Sequence, residues 1–159
     1  MKIEFVGEKL NISKKGIIKK AVKQTLKELD QPKSVIVCVN IVNEQEMQEL
    51  NKRTRNIDKV TDVLSFPSES LVPFEKVNPE SKKSHDLVIK GKVFIGDMAL
   101  CMSEVQRQAT EYCESENKVL ARLVIHSILH LLGFDHIEDK DYEIMKPVED
   151  KILAKVVKK

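Results

Sequence analysis

The stretch 34–42 constrains the fold of this chain more than any other part of its sequence. It reads Ser-Val-Ile-Val-Cys-Val-Asn-Ile-Val, which is rich in β-branched residues and almost wholly apolar. A strand with one wet face alternates polar and apolar residues, whereas a strand covered on both faces is apolar throughout. The stretch therefore predicts a central strand of a sheet, covered on both of its faces.

Extended and helical patterns alternate along the rest of the chain. Strands are predicted at 2–6, 61–66 and 92–95, and helices at 14–30, 44–52, 97–111, 116–133 and from Asp139 or Asp141 onward, with Pro147 in the last. The expected N-caps of the first four helices are Ser13, Asn43, Asp97 and Ser115. Strands interleaved with helices predict an α/β or α+β fold, with helices packed on one small mixed sheet.

The length of 159 residues fits a single domain that spans 1–159. Within it, residues 68–92 are polar and contain Pro73 and Pro79, so we predict a long, mobile connection there. The tail 155–159 is expected to fray. No segment reaches the roughly 18 apolar residues of a membrane span, and the first residues lack a signal peptide's apolar run. These features predict a cytoplasmic protein without membrane association.

The net charge and the cysteines exclude few classes of function. The 27 Lys and Arg residues nearly balance the 25 Asp and Glu residues, so total charge does not indicate nucleic-acid binding. Cys38, Cys101 and Cys113 are widely spaced and form no C-x-x-C pair, which favours reduced, buried thiols over a disulfide framework.

Three of the four histidines fall within eleven residues, His126, His130 and His136. Residues four apart on a helix leave the same face, so the first two rings can converge on one ion. Gly133 can adopt a left-handed conformation that ends the helix and lets the third ring approach. Three imidazoles with a fourth position open suit a catalytic zinc site. The alternative is that the histidines bond within the core or titrate at the surface.

The spacing H-x-x-x-H-x-x-G-x-x-H is also the zinc-ligand frame of metzincin proteases. Those proteases carry a Glu after the first His as the general base, whereas this chain has Ser127 there. Loss of such a base costs about 10²- to 10⁴-fold in rate. The substitution therefore disfavours a peptidase.

Three segments together resemble the YbeY family of bacterial endoribonucleases that mature ribosomal RNA. They are the histidine segment 124–136, the run Arg55-Asn-Ile-Asp-Lys-Val-Thr-Asp-Val-Leu-Ser-Phe-Pro67, and Ile95-Gly-Asp-Met-Ala-Leu-Cys101. They occur in the family's order and the resemblance extends over most of the chain. This chain departs from it in having Ser127 where many members have Gly, and in a longer 68–92 stretch.

The resemblance implies a metalloprotease-like α/β fold with the zinc-ligand helix beside the sheet. It implies that His126, His130 and His136 are the metal ligands, for one Zn²⁺ or another divalent transition metal, and that Arg55 is the functionally required arginine. It further implies single-stranded ribosomal RNA precursor as substrate, a role in ribosome quality control, and the ribosome or its proteins as partners.

Arginine suits a phosphate because its planar fork offers paired donors. We assign Arg55 to positioning the phosphate and stabilising charge in the transition state. With Lys52, Arg53 and Lys59 it forms a local basic patch, whose alternative is a solvated helix end. Two other functions remain open, a zinc hydrolase or peptidase of other specificity and a ribosome-assembly factor with a structural metal.

Other polar residues are given structural roles. We expect Asp62 at a strand end, Asp97 as an N-cap, Asp135 in the turn after the histidine helix and Met145 in the core, and His85 is read as a solvated loop residue.

Overall fold

The computed structural model describes residues 1–80, 87–135 and 139–157. Five strands and five helices follow one another in these ranges. They are β1 (Lys2–Gly7), α1 (Ile12–Glu28), β2 (Val35–Val42), α2 (Glu44–Arg55), β3 (Val63–Pro67), β4 (Val88–Ile89), β5 (Lys92–Cys101), α3 (Met102–Glu111), α4 (Glu116–Leu131) and α5 (Asp139–Val156). The predicted mixed α/β class, with one small sheet and helices packed on it, is confirmed.

The strands form one mixed sheet in the order β1-β2-β5-β3, with β4 paired to the start of β5. β1, β2 and β5 are parallel to one another, whereas β3 and β4 run antiparallel to β5. The predicted central position of β2 is confirmed, because it lies between β1 and β5. The two faces of β2 are not equally buried, whereas the prediction was that both are covered. Val35, Val37, Val39 and Ile41 are buried, but Cys38 and Asn40 on the other face are only half-buried.

The two faces of the sheet carry different numbers of helices. α1, α4 and α5 pack together over one face and enclose the larger core, to which α4 alone contributes nine buried apolar residues. α2 covers part of the other face, where Met47 meets Leu64, Ala99 and Cys101 in a smaller cluster. α4 is buried nearly all round because it lies between the sheet and the other two helices of its layer.

Caps set the beginnings of the helices. The side chain of Asn43 accepts from Glu46 N–H, and the Glu46 carboxylate accepts in return from Asn43 N–H, so the predicted cap of α2 is confirmed as a full capping box. Ser115 caps α4 as predicted. The prediction for α1 was wrong, because Asn11 rather than Ser13 accepts the bond from the first turn. Ile12 is 90% exposed, so the apolar pattern gave no sign of that turn.

The predicted helix start at Asp97 was wrong, because Gly96 and Asp97 lie inside β5 and α3 begins only at Met102. Gly96 has φ +136° beside a shift in the β2–β5 register, so the glycine marks a bulge. A Cβ added there would lie 2.3 Å from the Phe66 carbonyl oxygen, so a side chain would clash with the neighbouring strand. Asp97 pairs with Phe66 and Cys38 in the sheet and caps no helix.

The segment after β3 is attached to the body of the protein at several described points. Ser68 donates to the Phe94 carbonyl at 2.7 Å. The Gln31 side chain donates to the Glu75 carbonyl and accepts from Val77 N–H. His85 lies outside the described residues. In the part of the chain that the structure describes, no helix combines the length and apolar character needed to cross a bilayer.

Candidate functional site

A cleft of about 1460 Å³ runs between the helix layer and the β3 edge of the sheet. The C-terminal ends of α2 and α3 close one side, and β3 with the segment that follows it forms the floor and rim. α4 and α5 form the opposite wall. Its volume exceeds the roughly 300–1,000 Å³ of ordinary small-molecule pockets, so it has room for a polymeric substrate.

Two of the predicted metal ligands meet in this cleft. His126 and His130 lie one turn apart on α4, and their Nε2 atoms are 3.1 Å apart with the rings nearly perpendicular at 79°. Two imidazole nitrogens bound to one tetrahedral zinc at 2.0–2.1 Å would lie about 3.3 Å apart. The donor set and its spacing therefore fit a shared ion.

The outer nitrogens of both rings face acceptors. His130 Nδ1 lies 2.9 Å from the Phe134 carbonyl, which can only accept, so Nδ1 carries the proton and the Nε2 lone pair faces His126. His126 Nδ1 lies 3.9 Å from the Glu149 carboxylate on α5. A carbonyl that accepts from the outer ring nitrogen is a usual partner of a metal-binding histidine, since the bond fixes the tautomer and orients the ring. The Glu149 carboxylate is near enough to His126 for an electrostatic interaction but lies beyond hydrogen-bond distance.

Sequence reasoning missed Glu149, whose side chain is only 9% exposed. The signal that could have found it is its position in α5. Met145, Ile152 and Val156 are buried at helical spacing, and Glu149 is the one carboxylate on that apolar stripe. Because a buried carboxylate is costly without a cation or donor beside it, such a residue is a candidate for a site.

The turn after α4 adopts the conformation predicted for Gly133. Its φ is +87°, and Phe134 N–H donates back to the Leu129 carbonyl at 3.0 Å, as in a helix that closes on a left-handed residue. A Cβ at Gly133 would lie 2.3 Å from the Leu71 carbonyl oxygen, so the segment after β3 approaches the turn closely. Phe74 packs edge-on against Phe134 at 5.0 Å.

The third predicted ligand, His136, lies outside the described residues, so its convergence with the other two stays a prediction. Within residues 1–80, 87–135 and 139–157, no group of three His, Cys, Asp or Glu side chains is placed to hold an ion.

Arg55 is brought to the same cleft. It ends α2 and its Nη2 donates to the Ser65 carbonyl of β3 at 3.1 Å, which holds the guanidinium against β3. The other residues of the predicted basic patch, Lys52, Arg53 and Lys59, are not among the described residues that line the cleft. Lys52 pairs with Asp58 at 2.7 Å.

Ser127, at the position of the metzincin base, is fully buried. Its hydroxyl lies 2.8 Å from that of Ser65, so the two side chains join α4 to β3. A hydroxyl committed to a buried bond of this kind serves packing, and the structure supplies no carboxylate at this position.

The charges that line the cleft are mainly negative. Its described lining contains five carboxylates, those of Asp62, Glu69, Glu114, Asp135 and Glu149. It contains only three cationic side chains, those of Arg55, Arg122 and Lys146. Glu114 bonds to Lys118 and Arg122, which lower the pKa of its carboxyl. A cleft with this balance suits a bound cation.

The remaining sequence-based assignments have clear outcomes. Asp62 accepts from Val63 N–H at the start of β3 and from the Gln108 amide, which confirms its strand-end role. Met145 is 2% exposed in the core, as predicted. All three cysteines are free, but only Cys101 is buried as predicted, since Cys38 is half-buried and Cys113 is exposed.

Comparison with known proteins identifies relatives over nearly the whole chain. The family described as Endoribonuclease YbeY matches residues 2–157. An Endoribonuclease YbeY from Caldicellulosiruptor saccharolyticus is 39% identical over 137 residues, which cover 86% of this chain and 83% of that protein. One from Lachnospira eligens is 32% identical and covers 97% of this chain and 95% of its own length. A solution structure of a Thermotoga maritima protein matches the fold with a TM-score of 0.63 at 30% identity, covering 97% of this chain and 88% of that one.

Proposed function

The chain belongs to the endoribonuclease YbeY family, and from this premise we propose that it cuts single-stranded ribosomal RNA precursors with a zinc ion held by His126, His130 and His136. The observation that carries the proposal is the pair of imidazole Nε2 atoms 3.1 Å apart, in a cleft that also contains Arg55. Another divalent transition metal fits the same donor set, because imidazole binds several of them.

A zinc ion in this place would supply Lewis acidity toward the phosphate of the scissile bond. The chain's own residues prepare the site for it. The Phe134 carbonyl holds the proton of His130 on Nδ1 and leaves the Nε2 lone pair toward the cleft. Glu149 lies on the Nδ1 side of His126 and favours the same orientation of that ring.

Arg55 is proposed to position the phosphate and to stabilise the charge that grows on its oxygens. A guanidinium has five N–H donors in a fixed plane, so the single bond to the Ser65 carbonyl orients the group without exhausting it. Lysine has no equivalent fork, so it would replace the charge and lose the paired contact.

Two further parts of the proposal rest on family membership. We place the protein in the cytoplasm, where ribosomal RNA precursors are made and trimmed, and propose that it acts with the ribosome or its proteins, including in ribosome quality control. The peptidase alternative gains no support, because Ser127 is buried and bonded to Ser65. A structural metal in an assembly factor is the remaining alternative.

The proposal is tested with Arg55→Ala and Arg55→Lys in a cleavage assay on unstructured RNA. We expect Arg55→Ala to stay folded and to retain its metal but to lose about 10²- to 10³-fold in rate, the usual cost of one donor to transition-state charge. Arg55→Lys should recover only part of this loss. Arg53→Ala is the matched control, since Arg53 is exposed on the same helix and outside the described lining.

A wild-type rate in Arg55→Ala would contradict the role of Arg55. The structural-metal alternative predicts that His126→Ala and His130→Ala unfold, whereas we expect both to melt cooperatively and to lack activity. Mapping of the product ends separates the two routes of cleavage, because attack by the ribose 2′-hydroxyl leaves a 2′,3′-cyclic phosphate and attack by water does not.

A further inference from the structure

The described lining of the cleft carries too little positive charge to attract RNA by itself. Five carboxylates and three cationic side chains give its described lining a formal charge of −2. A bound zinc ion would add two positive charges and bring the formal charge of the lining only to about zero. Phosphate contacts supply most of the non-specific affinity of proteins for nucleic acids. A strand held in this cleft therefore needs a basic surface elsewhere on the protein.

Such a surface lies on α1 and α5. α1 carries six lysines and ends in a single acidic residue, Glu28. Lys14 pairs with Glu116, and Lys15 lies over the ring of Phe5. The other four lysines of α1 are exposed, and two lysines of α5 adjoin them. We call this set the lysine face, which consists of Lys19, Lys20, Lys23, Lys27, Lys151 and Lys155.

Helix geometry aligns three of these side chains. Lys19, Lys23 and Lys27 are four residues apart, so they form a row about 12 Å long on one side of α1. Like charges at this spacing destabilise a helix by about 0.2–0.5 kcal/mol for each pair. The row is thus unfavourable for α1 alone, and a polyanion bound along it would relieve the repulsion.

The counter-charge on the lysine face is small. Among the described residues, Glu28 is the only carboxylate that forms a salt bridge with any of the six lysines, and it already bonds to Lys151 at 2.7 Å and to Lys155 at 2.5 Å. These two lysines lower the pKa of Glu28, so it remains ionised. Six lysines less one glutamate give the face a formal charge of +5, which exceeds the +2 of the whole chain.

The face also has a concave part. A groove of about 650 Å³ runs between α1 and α5, and Lys20, Gln24, Lys27, Glu28 and Lys155 line it. Lys20 donates to the Val156 carbonyl, which ties the two helices together beside the groove. Lys146 and Glu149 of α5 line the cleft, whereas Lys151 and Lys155 line or adjoin this second groove. The lysine face is therefore a surface separate from the cleft.

We infer that the lysine face binds the phosphate backbone of the substrate RNA outside the cleft and supplies the attraction that the cleft lacks. This inference rests on the proposed function, that the chain cleaves RNA. Lysine is a compact charge on a flexible stem, which suits contact with a phosphate chain irrespective of sequence. The face thus governs affinity for long RNA, and the cleft governs the chemical step.

The test compares Lys19→Gln/Lys23→Gln/Lys27→Gln with Lys9→Gln/Lys33→Gln/Lys90→Gln. Both triple variants remove three positive charges at exposed positions, and glutamine keeps a helix propensity close to that of lysine. Each protein is assayed on a long single-stranded RNA and on a short oligonucleotide that fills only the cleft. Thermal melts verify that both variants are folded.

In the lysine-face variant, the dependence of log affinity on log salt should become shallower by about 0.7 for each lost contact, or about 2 in all. KM for the long RNA should rise at least tenfold at low salt while kcat stays unchanged, and cleavage of the short oligonucleotide should match the wild type. The control variant should retain the wild-type slope and KM.

Equal slopes and KM values in the two triple variants would overturn the inference while leaving the proposed function intact. An equal loss on long and short RNA would also overturn it, because the lysines would then be acting through the cleft. Failure of the wild-type protein to cleave either RNA would instead refute the proposed function.

Discussion

The substitution Gly133→Ala tests the geometry on which the histidine site depends. Gly133 lies in the left-handed region at φ +87°, where an alanine costs about 1–2 kcal/mol. An added Cβ would also lie 2.3 Å from the Leu71 carbonyl oxygen and 2.9 Å from Val72 N. Both atoms belong to the backbone, so no side-chain rotation relieves the clash, and overpacking of this kind adds about 1–3 kcal/mol.

The two terms predict a loss of about 2–5 kcal/mol in the free energy of unfolding. For a chain of this size, 1 kcal/mol shifts the melting temperature by about 2–4 °C, so the variant should melt roughly 10 °C below the wild type. The displaced turn should also weaken metal binding, because Phe134 holds His130 through its carbonyl. Circular dichroism melts and a zinc competition titration measure the two effects.

Gly16→Ala is the matched control. Gly16 lies within α1, and a Cβ added there meets no atom within 4 Å apart from the adjoining backbone of its own helix. Alanine in a helix interior is more stable than glycine by about 0.5–1 kcal/mol, so this variant should melt about 2 °C above the wild type. The substitution of glycine by alanine is thus expected to lower the melting temperature at position 133 and to raise it at position 16. A Gly133→Ala variant that melts within 1–2 °C (roughly 0.5 kcal/mol) of the wild type would refute the reasoning.

Three further predictions follow from the described contacts. Ser65→Ala and Ser127→Ala should each lower the free energy of unfolding, measured with urea, by about 1–3 kcal/mol, because the remaining buried hydroxyl loses its partner. The double variant should lose little more than either single variant. Additive losses would argue against the bond. Glu149→Gln should weaken zinc affinity about 10- to 100-fold in a chelator competition without loss of fold, and unchanged affinity would exclude its role in orienting the ligand. Burial, and then the Asp97 carboxylate, raises the pKa of Cys38 to about 11, so at pH 8 iodoacetamide should modify exposed Cys113 well before Cys38.

The features that sequence could predict are those with a periodic or local cause. The apolar run 34–42 predicted the central strand because the burial of a strand is recorded in its own residues. The spacing of His126 and His130 predicted their convergence because helix geometry alone places them together. Gly133 was predicted to close α4 because a left-handed residue is needed there.

The features that the sequence could not predict depend on contacts with residues far away along the chain. Gly96 and Asp97 read as a helix start, and the cause of the error lies in β3, whose Phe66 carbonyl leaves no room for a side chain at Gly96. Glu149 was missed because its role depends on how α5 packs beside α4. The inference drawn from the lysines of α1 likewise depends on distant residues, because it needs the charges that other elements bring to the cleft.

The central claim is that a metal held by the histidine cluster enables RNA cleavage. The most direct measurement is the metal content of purified wild-type protein and of His126→Ala, determined together with the cleavage rate of the same samples. We predict close to one zinc or other divalent transition metal per wild-type chain, a large loss of metal and activity in His126→Ala, and recovery of chelated wild-type protein when zinc is restored. Full activity in a sample shown to be free of metal would contradict the account.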